Sequence, residues 1–217
     1  MKFKTLLLAA FALLTIGVNA QDWSTDTYKY GEQYEGYIID AEGNKIEGYI
    51  KYRNRVIMQE EVIFYKVKDN PSTKKKYLAS NLTEYKVGDK LYHCINYSGG
   101  QGRQTQGNLV VNGEGCIKQY VWYTMSSGYN TLKKHDGESD EDFGNRKFPS
   151  NRVYYKFGDE IAVDNAYFEA DFAKNLSKYL AENKVLAKKV KTKQGGYTKI
   201  LNLRSIFDEF NKDCPEH

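Results

Sequence analysis

The sequence predicts an α+β chain: an antiparallel, hairpin-built β-sheet or meander followed by a C-terminal helical segment. Three observations predict it. Between residues 34 and 163, short apolar-aromatic runs alternate with glycine-centred turns. The chain carries 19 Tyr against 3 Pro, and Tyr favours half-buried pleated surfaces. From Asp164 onward, apolar residues recur every three or four positions, which is helical spacing.

The first twenty residues stand apart. Lys2 and Lys4 flank the start of an uncharged apolar run of 13 residues, Leu6 to Val18, and Val18-Asn19-Ala20 supplies a cleavage site. That is the pattern of a secretory signal peptide, and the run falls short of the roughly 20 residues a membrane span needs. No cysteine follows it for lipid attachment. The expected mature chain starts at Gln21 and holds no transmembrane span. It divides into a β-rich region over residues 21–163 and a helical segment over residues 164–217, packed as one domain.

The elements follow in order. Residues 34–53, YEGYIIDAEGNKIEGYIKYR, read as a hairpin around the four-residue loop AEGN. In its second strand Ile46, Ile50 and Tyr52 share one face while Glu47, Tyr49, Lys51 and Arg53 share the other, so one side of this sheet is wet. Residues 61–67 form the next strand and residues 69–76 a polar loop. Three more hairpins follow: residues 84–87 with 90–97 around Gly88-Asp89, residues 108–112 with 116–125 around Gly113-Glu114-Gly115, and residues 152–157 with 160–163 around Gly158-Asp159. The segments YKVKD, YKVGD and YKFGD echo one another at spacings of 20 and 70 residues, an irregular interval that reads as recurrent hairpin chemistry rather than a repeat. Phe168, Phe172, Leu176, Tyr179 and Leu180 then mark an amphipathic helix capped by Asp164 or Asn165. A short helix over residues 184–193 turns Leu186 and Val190 inward and stops at Gly195-Gly196. Leu203, Ile206, Phe207 and Phe210 define the last helix.

Charge is polarised along the chain. Residues 174–204 hold nine basic side chains and one acid, Glu182, whereas residues 21–173 hold 20 basic and 23 acidic ones. Lys188, Lys189 and Lys191 in this basic stretch are candidates for binding an anionic surface. The stretch lacks interleaved aromatics, so nucleic acid is not expected.

The segment NYSGGQGRQ at residues 96–104 contains the Ser-Gly-Gly-Gln of an ABC-type ATPase signature. Such a signature needs a phosphate-cradling loop with a Gly-Lys pair, and the chain has no Gly-Lys pair. The segment reads instead as a connector between strands. Three cysteines, Cys94, Cys116 and Cys214, suit a disulfide in an exported chain. Strand alternation puts Tyr92 and Cys94 on one face and Cys116, Lys118, Tyr120 and Trp122 on one face; with both aliphatic faces inward, Cys94 and Cys116 become the candidate pair. The acidic run DGESDED at residues 136–142 begins like an EF-hand, but Glu141 stands at the glycine position and Lys147 at the closing glutamate. It reads as a solvated loop, with no metal and no cofactor called for.

Tyr92, Tyr120 and Trp122 form an expected aromatic strip facing away from the aliphatic side, suited to a sugar ring or to a partner's apolar patch, unless the helices pack over that face. Zinc-protease, nucleophile-elbow and zinc-cysteine patterns are absent from the sequence, and no residue stands out as catalytic.

Residues 36–53, GYIIDAEGNKIEGYIKYR, resemble the N-terminal hairpin of uncharacterised exported proteins of Bacteroidetes-type bacteria, with Asn44 where those often carry Asp. LVVNGEGCIKQYVWY and FDEFNKDC are similar to later segments of the same proteins. The resemblance implies export to the cell envelope and supplies no activity. The expectation is an exported protein of the periplasm or cell surface, a non-catalytic module binding an envelope protein or glycan. The alternatives are a hydrolase of envelope polymers, marked by a His–carboxylate or paired-carboxylate cleft, and an anion-binding surface on the basic helices.

Overall fold

The computed structural model describes residues 28–99, 102–112 and 115–214. The expected signal peptide, the Gly100-Gln101 tip and Gly113-Glu114 lie outside the described residues.

Strands β1 (Gln33–Asp40) and β2 (Lys45–Lys51) form the expected hairpin, with Ile39 opposite Lys45. The Asp40 carboxylate closes the loop by accepting from the backbone N–H groups of Glu42 and Asn44, an Asx-type turn. Helix α1 (Arg55–Met58) is one turn capped by Asn54. Then come β3 (Glu61–Tyr65), β4 (Lys74–Leu78), β5 (Leu82–Val87), β6 (Lys90–Gly99), β7 (Gly102–Asn112) and β8 (Ile117–Tyr123). Helix α2 (Asp140–Lys147) separates β8 from β9 (Ser150–Phe157) and β10 (Ala162–Asp164). Helices α3 (Asn165–Ala170), α4 (Phe172–Tyr179), α5 (Lys184–Lys191) and α6 (Leu203–Lys212) follow.

Among the described residues, ten strands join one sheet in the order β10-β9-β8-β7-β6-β5-β1-β2-β3-β4. Strand β6 is the branch point. Its first residues, Lys90 to His93, pair with β5; further along, Tyr97 and Ser98 run parallel to Ala162 and Val163 of β10. The second pairing closes β6 to β10 into a five-stranded barrel and leaves β5 and β1 to β4 as an open extension.

Two strand assignments differ from the sequence reading. The expected connector after residue 97 is the upper part of a long hairpin in which Gly99 pairs with Gly102 and Asn96 with Thr105. Its polar alternation hid it, because one side is exposed and the other is stitched by polar pairs such as Tyr97 Oη donating to Gln104 Oε1 at 2.7 Å. Gly107 in this hairpin packs closely: a Cβ there would lie 2.8 Å from the Tyr85 hydroxyl and 3.0 Å from Ala79. The lysine-rich segment read as a loop holds β4, the edge strand, whose Lys74, Lys75 and Lys76 are exposed. Charged edges resist pairing with other chains. The acidic run is likewise no simple loop: Ser139 caps α2 by accepting from the Asp142 N–H, which sets Asp140, Glu141 and Asp142 in the first turn, where carboxylates oppose the positive helix end.

Among the described residues, three clusters of buried side chains hold the fold. Ile38, Ile50, Phe64, Tyr85, Tyr92 and Leu109 belong to one beneath the open extension, with Met58 of α1. Tyr97, Val110, Tyr120 and Tyr154 fill the barrel. The helices cover the outside of β8 and β9, where Phe168, Leu176, Ile206, Phe207 and Phe210 meet Ile117 and Tyr155. The single helix expected from Phe168 to Leu180 breaks at Asp171, whose φ of −158° is extended and whose carboxylate caps α4 through the Lys174 N–H.

The disulfide joins Cys116 to Cys214 across 98 residues, and Cys94 is free, so the expected Cys94–Cys116 pairing is overturned. The reason lies in the faces. Tyr92 pairs with Leu109 and Leu109 with Val121, so the Tyr92–Cys94 side of β6 is continuous with Val121 of β8, not with Tyr120 and Trp122. Cys94 Sγ donates to the Ala79 carbonyl, while Cys116 sits beside α6. There Asn211 accepts from the Ile117 N–H at 2.8 Å and donates to the Ile117 carbonyl at 2.9 Å. A closed loop of this length stabilises by about 4–5 kcal/mol in the chain-entropy treatment.

Candidate functional site

Directly opposed residues of an antiparallel pair share a face. The register therefore carries one face of β5, with Glu84, across to His93 of β6 and on to Asn108 of β7. Val110 stands opposite Tyr120, Tyr120 opposite Tyr154, and Lys118 opposite Lys156. This face is the barrel interior at β8 and β9 and the outer, solvent side of the sheet at β1 and β5, where Ile39 opposes Glu84. The barrel thus opens at His93 onto the wet face of the extension.

A hydrogen-bonded chain of four side chains crosses this mouth. Tyr37 Oη donates to Glu84 Oε1 at 2.5 Å. Glu84 Oε2 lies 3.0 Å from His93 Nε2, and His93 Nδ1 lies 3.0 Å from Tyr120 Oη. The carboxylate accepts only, which assigns the imidazole proton to Nε2 and leaves Nδ1 to accept the Tyr120 hydroxyl proton. The His93 and Glu84 side chains keep 17% and 25% of their surface exposed, whereas Tyr120 is buried.

The electrostatics favour a neutral ring. Burial holds the His93 pKa below its ordinary value; Glu84 pulls it up, and Lys118 and Lys156 push it down again. Desolvation and the two ammonium groups outweigh the carboxylate. Burial also raises the Tyr120 and Tyr37 hydroxyls, with Glu84 adding to both, so both phenols stay protonated donors. Burial lowers Lys156, Asp159 opposes that shift, and Lys118 adds to it.

The sequence-predicted residues are scattered. Tyr92 is buried on the other face, stacked on Tyr85 at 4.6 Å with the rings 9° apart. Tyr120 and Trp122 share the barrel interior, Trp122 standing edge-on to Tyr97 at 5.4 Å. No exposed strip of these three residues exists, because the sheet buries both faces here. Lys189 is tied to Glu209 at 2.9 Å; Lys188 and Lys191 are exposed. Among the described residues no group of three or more His, Cys, Asp or Glu side chains is placed to hold a metal ion, and no helix is long and apolar enough to cross a membrane. A groove of about 380 Å³ lies elsewhere, between Asn183, Lys184, Phe210 and Cys214.

The sequence reading missed Tyr37, Glu84, His93, Lys118 and Lys156. One signal was visible: His93 interrupts the face of Leu91, Ile95 and Tyr97, and a lone histidine on an apolar face needs a partner. That partner comes from β5 through tertiary register. No protein-family model, no curated protein and no solved structure matches the chain.

Proposed function

We propose that the chain is an exported, non-catalytic binding protein of the cell envelope that takes a glycan at the barrel mouth. The Tyr37–Glu84–His93–Tyr120 chain carries this reading. Its hydroxyl, carboxylate and imidazole groups are fixed relative to one another on a half-exposed sheet face, and such preset polar groups suit the hydroxyls of a sugar. The Tyr37 ring, with the Lys45 ammonium 4.2 Å from its centroid, offers a flat surface beside them. Both His93 nitrogens are engaged, which leaves no free lone pair for a general base, and Tyr120 is buried with its proton held on. The expected result is that an envelope glycan fragment binds the wild-type protein and that Tyr37→Ala and Glu84→Ala each weaken it at least tenfold without changing the fold by circular dichroism. Crosslinking in the native envelope that recovers no glycan, or variants that bind as wild type, overturns the proposal.

One observation favours a second reading. Glu84 and His93 form a His–carboxylate pair at a surface opening, the feature expected of a hydrolase of envelope polymers. Release of reducing ends from envelope polysaccharide by wild type but not by His93→Gln would select it.

A further inference from the structure

Lys118 and Lys156 stand directly opposite each other on β8 and β9, on the inward face, and both are half-buried. Like charges in that register repel, the more so out of water. Among the described residues neither ammonium forms an ion pair. Lys156 donates to the Gly158 carbonyl, which leaves donors over. Glu84, the acid of the mouth, is engaged by Tyr37 and His93. Both lysines act on His93, disfavouring its cation. The mouth therefore sets two half-buried ammonium groups side by side, while Glu84 is already engaged by Tyr37 and His93 and Asp159 acts on Lys156 without forming an ion pair with it.

We infer that the barrel mouth binds an oxyanion, a carboxylate, sulfate or phosphate group of the ligand, between Lys118 and Lys156, an assignment that rests on the binding role proposed above. The paired ammonium groups, with N–H donors left over, match the spread charge of such a group. The sugar ring then lies toward Tyr37 on the outer face. The same chemistry fits free phosphate, so the test carries both sources.

The probes are tetragalacturonate, its methyl ester and inorganic phosphate, titrated calorimetrically into wild type, Lys118→Met, Lys156→Met and the double variant. Wild type should bind the acid at least tenfold more tightly than the ester, more weakly as salt rises, and the double variant should lose that preference. Competition by millimolar phosphate identifies the free ion as ligand and upholds the oxyanion site. Equal binding of acid and ester overturns the inference and leaves the binding role standing, as does unchanged acid binding by the double variant. Failure of the wild type to bind either acid or phosphate also overturns it. A second measurement guards against misfolding: in low salt Lys118→Met should melt at or above the wild-type temperature, and phosphate should raise the melting temperature of wild type but not of the double variant. A phosphate-induced rise of equal size in both overturns the assignment.

Discussion

On the outer face of β6, Tyr92 stacks against Tyr85, whose hydroxyl donates to the Met58 carbonyl, and Cys94 donates to the Ala79 carbonyl. On the inner face of the same strand, His93 is held by Glu84 and Tyr120. Both faces are covered, but their polar groups find different partners. On the outer side burial pushes Cys94 up to about 12, and it stays an inert thiol. Side-chain partners do titrate, so the inner side keeps chemistry that pH and nearby charge can move. Burial shifts both groups; having charged and titratable side chains as neighbours is what lets the His93 shift respond to pH and nearby charge.

The contrast breaks most visibly at Leu109, in the outer cluster opposite Tyr92. Leu109→Ala should cost about 2–5 kcal/mol in urea unfolding while the His93 ring protons titrate as in wild type. A shifted His93 titration would mean that the two faces are coupled through the strand. Tyr85→Phe is smaller, about 1–2 kcal/mol, because it strands the buried Met58 carbonyl, and it too should leave His93 unmoved.

The inner face is tested by pH. Because the folded His93 pKa lies below its unfolded value, the unfolded chain takes the proton first. The stability His93 contributes is complete above the unfolded value, near 6.5, and is lost as pH falls toward the folded value. The melting temperature should therefore fall between pH 7.5 and 5.5, and His93→Gln should flatten that slope; Glu84, Tyr120, Lys118 and Lys156 are the groups facing the ring. An unchanged slope sinks the assignment. Smallest of all, Lys118→Met should raise the His93 pKa by removing a repelling charge, read from the imidazole resonances by NMR.

The hairpins and helices were legible because turn glycines and apolar spacing are local signals. Ile50 and Tyr52 point inward as their alternation requires, and Phe207 and Phe210 bury the helix face that their spacing predicts. The upper β6–β7 hairpin and β4 were not legible, since polar strands at an edge or rim carry little apolar period. The site was largely illegible for a deeper reason. Tyr37, Glu84, His93 and Lys118 come from four strands, and only inter-strand register brings them to one face. The disulfide failed on the same point: two strands buried on both sides give no sequence clue to which faces coincide.

Strand β6 belongs at once to the open extension and to the barrel, with β5 and β10 sharing one of its edges and β7 holding the other. Neither half can detach without tearing a ladder that the other half uses. The amides around His93 should therefore be among the last to exchange with deuterium, opening only when the whole sheet unfolds. Although part of its surface meets water, the mouth is anchored to the strand that joins the barrel to the extension, and its geometry should persist as long as the protein stays folded.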